Sequence, residues 1–168
     1  WDAEEAAALK GLTSVSCGTA FHAALLGNKF VERLAGIPVQ VEIASEFRYG
    51  DPMLHSGDSL MVISQSGETA DTIAALRLAK SRNCRTIAVC NVIGSTIARD
   101  AETVLFTYAG PEIAVAATKS YLTQLAVLYL TALDLAEKRG TMSEQDVHKR
   151  IDELFALPGI MQQILDHR

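Results

Sequence analysis

Residues able to do chemistry are concentrated in Ser64-Gln65-Ser66-Gly67-Glu68-Thr69, where three hydroxyls, an amide and a glycine share six positions. Ser and Thr hydroxyls donate without carrying charge. A helix beginning at Ala70 would add free backbone amides at its positive end, and together these form an anion cradle that needs no Lys or Arg. Gly67 lets the backbone turn closely around such an anion. The segment lacks the Gly-Lys-Ser/Thr of a Walker loop, and no Gly-x-Gly-x-x-Gly is present. A small phosphorylated metabolite therefore fits better than a nucleotide. The same composition is also what loops and helix N-caps prefer, so the segment alone leaves both readings open. Two further polar or glycine-bearing segments, less rich, also fall beyond the expected strand ends, Cys17-Gly18-Thr19-Ala20 and the stretch 110–119.

Other reactive side chains have plainer readings. Cys17, at a strand end with no His/Asp arrangement to activate it, reads as a small buried hydrophobe. His22, His55, His148 and His167 have no metal-ligand spacing with Cys or carboxylates, so no metal and no cofactor is expected. Lys119 could steer a phosphate, but a structural place at a helix N-terminus is the plainer reading. Glu46 and Arg48 could pair with each other or reach a partner subunit. Glu68, just before a helix, is expected to favour the helix dipole and face water.

The elements that position these groups follow from the apolar pattern. Runs at 12–17, 38–43, 59–64 and 85–92, with a weaker one at 103–108, are near-continuously apolar. That pattern suits parallel strands buried on both faces. Between them Leu26, Phe30 and Leu34 recur every four residues, and Ile73, Leu76 and Ala79 every three. Strands alternating with helices imply βαβ units with right-handed crossovers. Gly36 is placed to close the first such helix, and Thr69 to N-cap the one starting at Ala70. After the last strand the pattern is helical only: 117–139 up to Gly140, then a helix opened by Ser143 with Asp146 and ending near Leu157-Pro158-Gly159. The expected fold class is α/β, a doubly wound five-stranded parallel sheet of flavodoxin-like order with C-terminal helices.

The chain has 168 residues, 49% hydrophobic and 21% charged, with a net charge of −5. That length suits one domain with a proper core. The negative charge offers no general attraction for nucleic acid or acidic membranes, so an anion site must be local. Three cysteines, Cys17, Cys84 and Cys90, are too few for a disulfide framework and read as reduced thiols of a cytoplasmic protein. The apolar stretch 121–135 is interrupted by Thr123, Gln124, Thr131 and Asp134 and is too short to span a bilayer. The acidic start is not that of a signal peptide. A first residue of Trp rather than Met suggests a piece of something longer.

Ser64-Gln65-Ser66-Gly67-Glu68-Thr69-Ala70-Asp71-Thr72 resembles the phosphate loop of sugar isomerase (SIS) domains, in the extended form of the glutamine–fructose-6-phosphate aminotransferases. Cys17-Gly18-Thr19, Ala44-Ser45-Glu46-Phe47-Arg48-Tyr49 and Gly110 to Lys119 resemble the same family in the same order. The resemblance implies that Ser64, Gln65, Ser66 and Thr69 hold a sugar 6-phosphate. It implies that Thr19, Ala20, Val115 and Ala117 line the sugar. Many relatives carry Ser at the positions of Ala20 and Ala117, and each replacement removes a hydroxyl. The implied ligand is fructose 6-phosphate, glucosamine 6-phosphate or glucose 6-phosphate, and the implied quaternary partner is a homodimer mate. On this resemblance residues 1–140 form the SIS domain and 141–168 lead towards a second one. The family's nucleophilic cysteine and its acid–base groups would lie outside this segment, leaving it able to bind but not to catalyse. The alternatives are another SIS isomerase or deglycase acting on sugar phosphates, and a SIS sensor domain of a regulator.

Overall fold

The computed structural model describes residues 1–114 and 116–167. Five strands carry the fold: β1 (Leu12–Ser16), β2 (Val39–Ile43), β3 (Ser59–Ser64), β4 (Arg85–Cys90) and β5 (Thr103–Phe106). All pair in parallel, in the order β2-β1-β3-β4-β5. The central strand β3 is buried at every position and β4 at all but Arg85, as expected of strands covered on both faces. The edge strands differ. Every residue of β5 is only partly buried, and β2 has two exposed positions, Gln40 and Ile43. A run of apolar residues thus marked the strands without distinguishing centre from edge.

Helices α1 (Ala3–Ala8), α2 (Thr19–Ala35), α3 (Ala44–Tyr49), α4 (Ala70–Ser81), α5 (Thr96–Asp100), α6 (Lys119–Lys138) and α7 (Glu144–Asp166) complete the described chain. Strand parity divides the core. Leu60, Val62 and Ala88 face α3, α4 and α5 through Phe47, Ala75, Leu76, Ala79 and Ile97. Met61, Ile63, Ile87 and Val89 face α2 and α6 through Ala20, Ala23, Ala24 and Leu128. The small residues, not the large ones, do the burying on α2. Leu26 is 41% exposed, whereas Ala23 and Ala35 are fully buried. Gly27 lies where a Cβ would come within 2.6 Å of Leu128, so α2 and α6 cross at closer range than any side chain there would permit. The expected stripe Leu26-Phe30-Leu34 is therefore displaced by one to an Ala/Gly/Val stripe.

Gly36 ends α2 in the left-handed conformation, at φ 66°. Ser143 accepts the amide of Asp146 at 3.1 Å and opens α7. That helix does not stop at Leu157-Pro158-Gly159; it runs through Pro158 to Asp166. The proline forfeits one ladder bond, but residues 155–165 are all exposed, so water can take the freed carbonyl. The three short helices α1, α3 and α5 had no counterpart in the sequence reading, since none is long enough to display a period.

Candidate functional site

The strand order reverses between β1 and β3, so the segments leaving their carboxyl ends diverge to opposite faces of the sheet, the place where ligands bind in open sheets of this kind. The segment leaving β3 is the hydroxyl-rich loop. Buried Ser64, the last residue of β3, accepts the Gly67 amide at 3.0 Å and lies 3.3 Å from the Thr69 hydroxyl. Ser66 accepts the Glu68 amide at 3.2 Å. The loop is fastened from outside as well. Asn91 donates its amide to the Gln65 carbonyl at 3.2 Å, and Ile97 donates to the Gly67 carbonyl at 3.0 Å.

Gly67 is required on two counts. Its φ is +67°, and a Cβ there would lie 2.0 Å from the Ser95 hydroxyl oxygen and 2.9 Å from the Cys90 sulfur. Thr69 occupies the N-cap of α4, as expected, but its side chain makes no capping bond. Its hydroxyl faces Ser64 instead. The first-turn amides of α4 have no intrahelical acceptors and sit at the helix's positive end.

Glu68 does not simply face water. Its carboxylate accepts the Thr96 amide at 2.7 Å and the Thr96 hydroxyl at 2.8 Å, so it serves the start of α5 rather than α4. These bonds, led by the Thr96 amide, hold its carboxyl below the usual range. Arg48 pairs not with Glu46 but with Asp71, at 3.0 Å, in the first turn of α4. Its guanidinium also lies 5.0 Å from the centre of the Tyr49 ring.

Of the expected sugar-lining residues, Thr19 begins α2 and is exposed, beside Gly18 at φ +59°. Ala20 is 9% exposed and belongs to the core beneath α2. Ala117 is half-buried just before α6. Val115 lies outside the described residues. Lys119 is the first residue of α6 and exposed, consistent with a place at the helix N-terminus. Cys17 is half-buried rather than buried, since it sits past the end of β1 where the sheet no longer covers it.

Two residues escaped the sequence reading. Asn91 holds the loop after β5: its Nδ2 donates to the Gly110 carbonyl at 2.8 Å. Its Oδ1 accepts Thr107 Oγ1 at 3.1 Å and the Ala109 amide at 2.8 Å. An amide side chain directly after a strand was the available signal, and absorbing it into the run 85–92 hid it. Glu112 caps α6, accepting Ser120 Oγ at 2.8 Å and the Thr118 and Ser120 amides at 3.2 Å each. Its bonds to Ser120 lead in holding that carboxyl low. Among the described residues no group of three or more His, Cys, Asp or Glu is placed to hold a metal ion, and no helix is long and apolar enough to cross a membrane.

Residues 12–134 match the SIS domain family. The chain is 55% identical over 154 residues to a glutamine–fructose-6-phosphate aminotransferase of Caldanaerobacter subterraneus, covering 92% of this chain and 25% of that protein. It is 49% identical over 165 residues to the Methanosarcina mazei enzyme of that name, covering 98% of this chain and 27% of the relative. The chain thus spans about a quarter of the length of these relatives. Among solved structures, the C-terminal domain of glucosamine-fructose-6-phosphate aminotransferase from Francisella tularensis superposes with a TM-score of 0.91 at 36% identity. The match covers 98% of this chain and 47% of that one. A glucosamine-6-phosphate deaminase from Thermotoga maritima superposes with a TM-score of 0.71 at 26% identity, covering 83% and 43%.

Proposed function

The chain belongs to the SIS domain family, and from that premise we propose that it binds the phosphate of a sugar phosphate in the loop from Ser64 to Thr69. We place it as one half of the isomerase module of a glutamine–fructose-6-phosphate aminotransferase. The observation that carries this reading is the loop's closure on itself at the switch point of the sheet. Because Ser66 accepts the Glu68 amide, its own O–H is free to donate to an anion. If Ser64 donates to Thr69 across the 3.3 Å contact, the Thr69 proton is likewise turned outward. Two hydroxyl donors and the α4 amides then converge on one anion, with Gln65 beside them.

The loop contributes binding and orientation, not proton transfer, because its only carboxylate, Glu68, is engaged with Thr96. Turnover is therefore assigned to groups elsewhere in the longer enzyme. Fructose 6-phosphate, glucosamine 6-phosphate and glucose 6-phosphate are the proposed ligands. The 49–55% identity to aminotransferases favours this reading over a separate deglycase or isomerase. Exposed apolar groups at the carboxyl edge, Ile93 at 68%, Tyr108 at 75% and Ile113 at 94%, are assigned to pairing with a second SIS face, in a homodimer. Three free thiols suit a reducing, cytoplasmic setting.

Isothermal titration with fructose 6-phosphate tests the site. Binding is expected to be weak, displaced by inorganic phosphate, and abolished by Ser66→Ala with Thr69→Ala. Binding that survives the double substitution places the anion elsewhere. Incubation with glutamine and fructose 6-phosphate should yield neither glutamate nor glucosamine 6-phosphate. Turnover above a Ser66→Ala control would refute the assignment of catalysis elsewhere.

A further inference from the structure

Asp71 is the second residue of α4, one position inside the helix whose N-terminus carries the proposed phosphate site. A carboxylate there stabilises the helix through its positive end. It also competes with any anionic ligand for that same end, at a range of about one helical turn. The sequence has no cation between Ser64 and Thr69 to offset this, and the chain as a whole is negative. The compensating charge comes from another helix. Arg48, in the last turn of α3, reaches Asp71 at 3.0 Å and is oriented against the Tyr49 ring. The loop's other flanking acid, Glu68, is likewise occupied, by Thr96, with Arg99 nearby.

We infer that Arg48 is a positioning residue for the phosphate site, neutralising Asp71 so that the first turn of α4 can receive a dianion. The inference rests on the phosphate reading above. The Arg48 and Asp71 side chains are 40% and 35% exposed, and pairs so exposed contribute little to stability. What sets this pair apart from Lys29–Glu32 and Arg77–Asp100, which are comparably exposed, is its place in the first turn of the helix that follows the loop. Arg48 acts through Asp71 and does not contact the ligand. The pair therefore screens the site in proportion to ligand charge: a sugar 6-phosphate dianion gains more from it than a sugar 6-sulfate monoanion.

The test is titration of the chain at pH 8 and low salt with glucose 6-phosphate and, separately, glucose 6-sulfate. Arg48→Gln should weaken phosphate binding roughly three- to tenfold, and sulfate binding less. Asp71→Asn alone should bind as tightly as the original protein or tighter. Arg48→Gln with Asp71→Asn should return to within about twofold of it. The Arg48→Gln loss should shrink as salt is added. A double variant as weak as Arg48→Gln means that Arg48 touches the ligand itself, and overturns the inference. So does an Asp71→Asn protein that binds more weakly, a result that decides the matter even if Arg48→Gln fails to fold. If the unsubstituted chain binds neither ligand, the phosphate reading falls and this inference with it. If it binds but ignores the charge at position 48, the inference alone falls.

Discussion

The loop of residues 65–69 and the loop of residues 107–118 leave parallel strands at the same end of the sheet, and they are built on opposite plans. In the first, Ser64, Ser66, Asn91 and Ile97 bond directly to loop backbone, and Gly67 is buried against Ser95. In the second, bonds gather at the two ends: Asn91 grips residues 107–110, and Glu112 grips the start of α6. Between them Ile113, Ala114 and Ala116 are exposed. On the phosphate reading proposed above, the first loop is preorganised for its anion. The second has its ends fixed, and Ile113, Ala114 and Ala116 are, on the proposed reading, the part that a ligand or another surface would cover. On the same reading, the anion site is the more fully built of the two in this segment.

Gly67→Ala strikes the preorganised loop hardest. The new methyl meets Ser95 and demands an unfavourable φ, which should cost about 2–4 kcal/mol of stability and remove measurable phosphate binding. Thermal unfolding with phosphate titration checks both. A variant that melts normally and binds within tenfold would show that the contrast between the loops does not rest on preorganisation.

Asn91→Ala strikes the second loop. Three side-chain bonds are lost in a half-buried setting, for about 1–3 kcal/mol. Its backbone bond to Gln65 remains, so inorganic phosphate should bind within about threefold of the original while a sugar phosphate loses more. Equal losses for both ligands would mean that the two loops are not separable.

Much of this contrast was legible beforehand, and in a particular way. Ser64, Gln65, Ser66 and Thr69 stand together in sequence because a helix N-terminus and its preceding turn are local structures. The strands were equally plain, since burial on both faces leaves an apolar run. Glu68, Asn91 and Asp71 were not, because their partners Thr96, Thr107 and Arg48 come from other βα units, and pairing across units has no sequence period. Pro158 misled for a different reason: a proline can kink a helix without ending it, and at an exposed surface water can take the carbonyl it frees. The buried stripe on α2 was missed because Ala and Gly bury little area per residue and matter through the close approach they allow.

The capping carboxylates give the two loops a common acid limit. Glu68 and Glu112 both have folded-state pKa values below their usual ones, through bonds to Thr96 and Ser120 respectively. A depressed carboxyl contributes stability that is full above its unfolded value, about 4.3, and is lost as pH falls through the lower folded value. Glu112→Gln should flatten the dependence of melting temperature on pH below about 4.3 while leaving phosphate affinity at pH 7 unchanged. Glu68→Gln should flatten it too, but should also weaken phosphate binding. If the two variants affect affinity alike, Glu68 is a cap and nothing more.

The smallest effect is expected at Lys119, and it tests whether charge or neutral donors hold the anion. Lys119 is exposed on the first residue of α6, at the end of the open loop, while the closed loop carries no cation. A hydroxyl bonded to a phosphate is charge-assisted and contributes roughly 1.5–3 kcal/mol, so Ser66→Ala should weaken binding by about one to two decades. Lys119→Ala removes an exposed charge that lies outside the loop's sequence and should cost less than about threefold. Salt should reduce binding only modestly, since short hydrogen bonds at a helix terminus are poorly screened. Side-by-side titration of the two variants with glucose 6-phosphate reads the order directly. If the lysine variant loses more than the serine variant, the second loop reaches into the phosphate site. The division between an anion loop and a sugar loop would then have to be redrawn around Lys119.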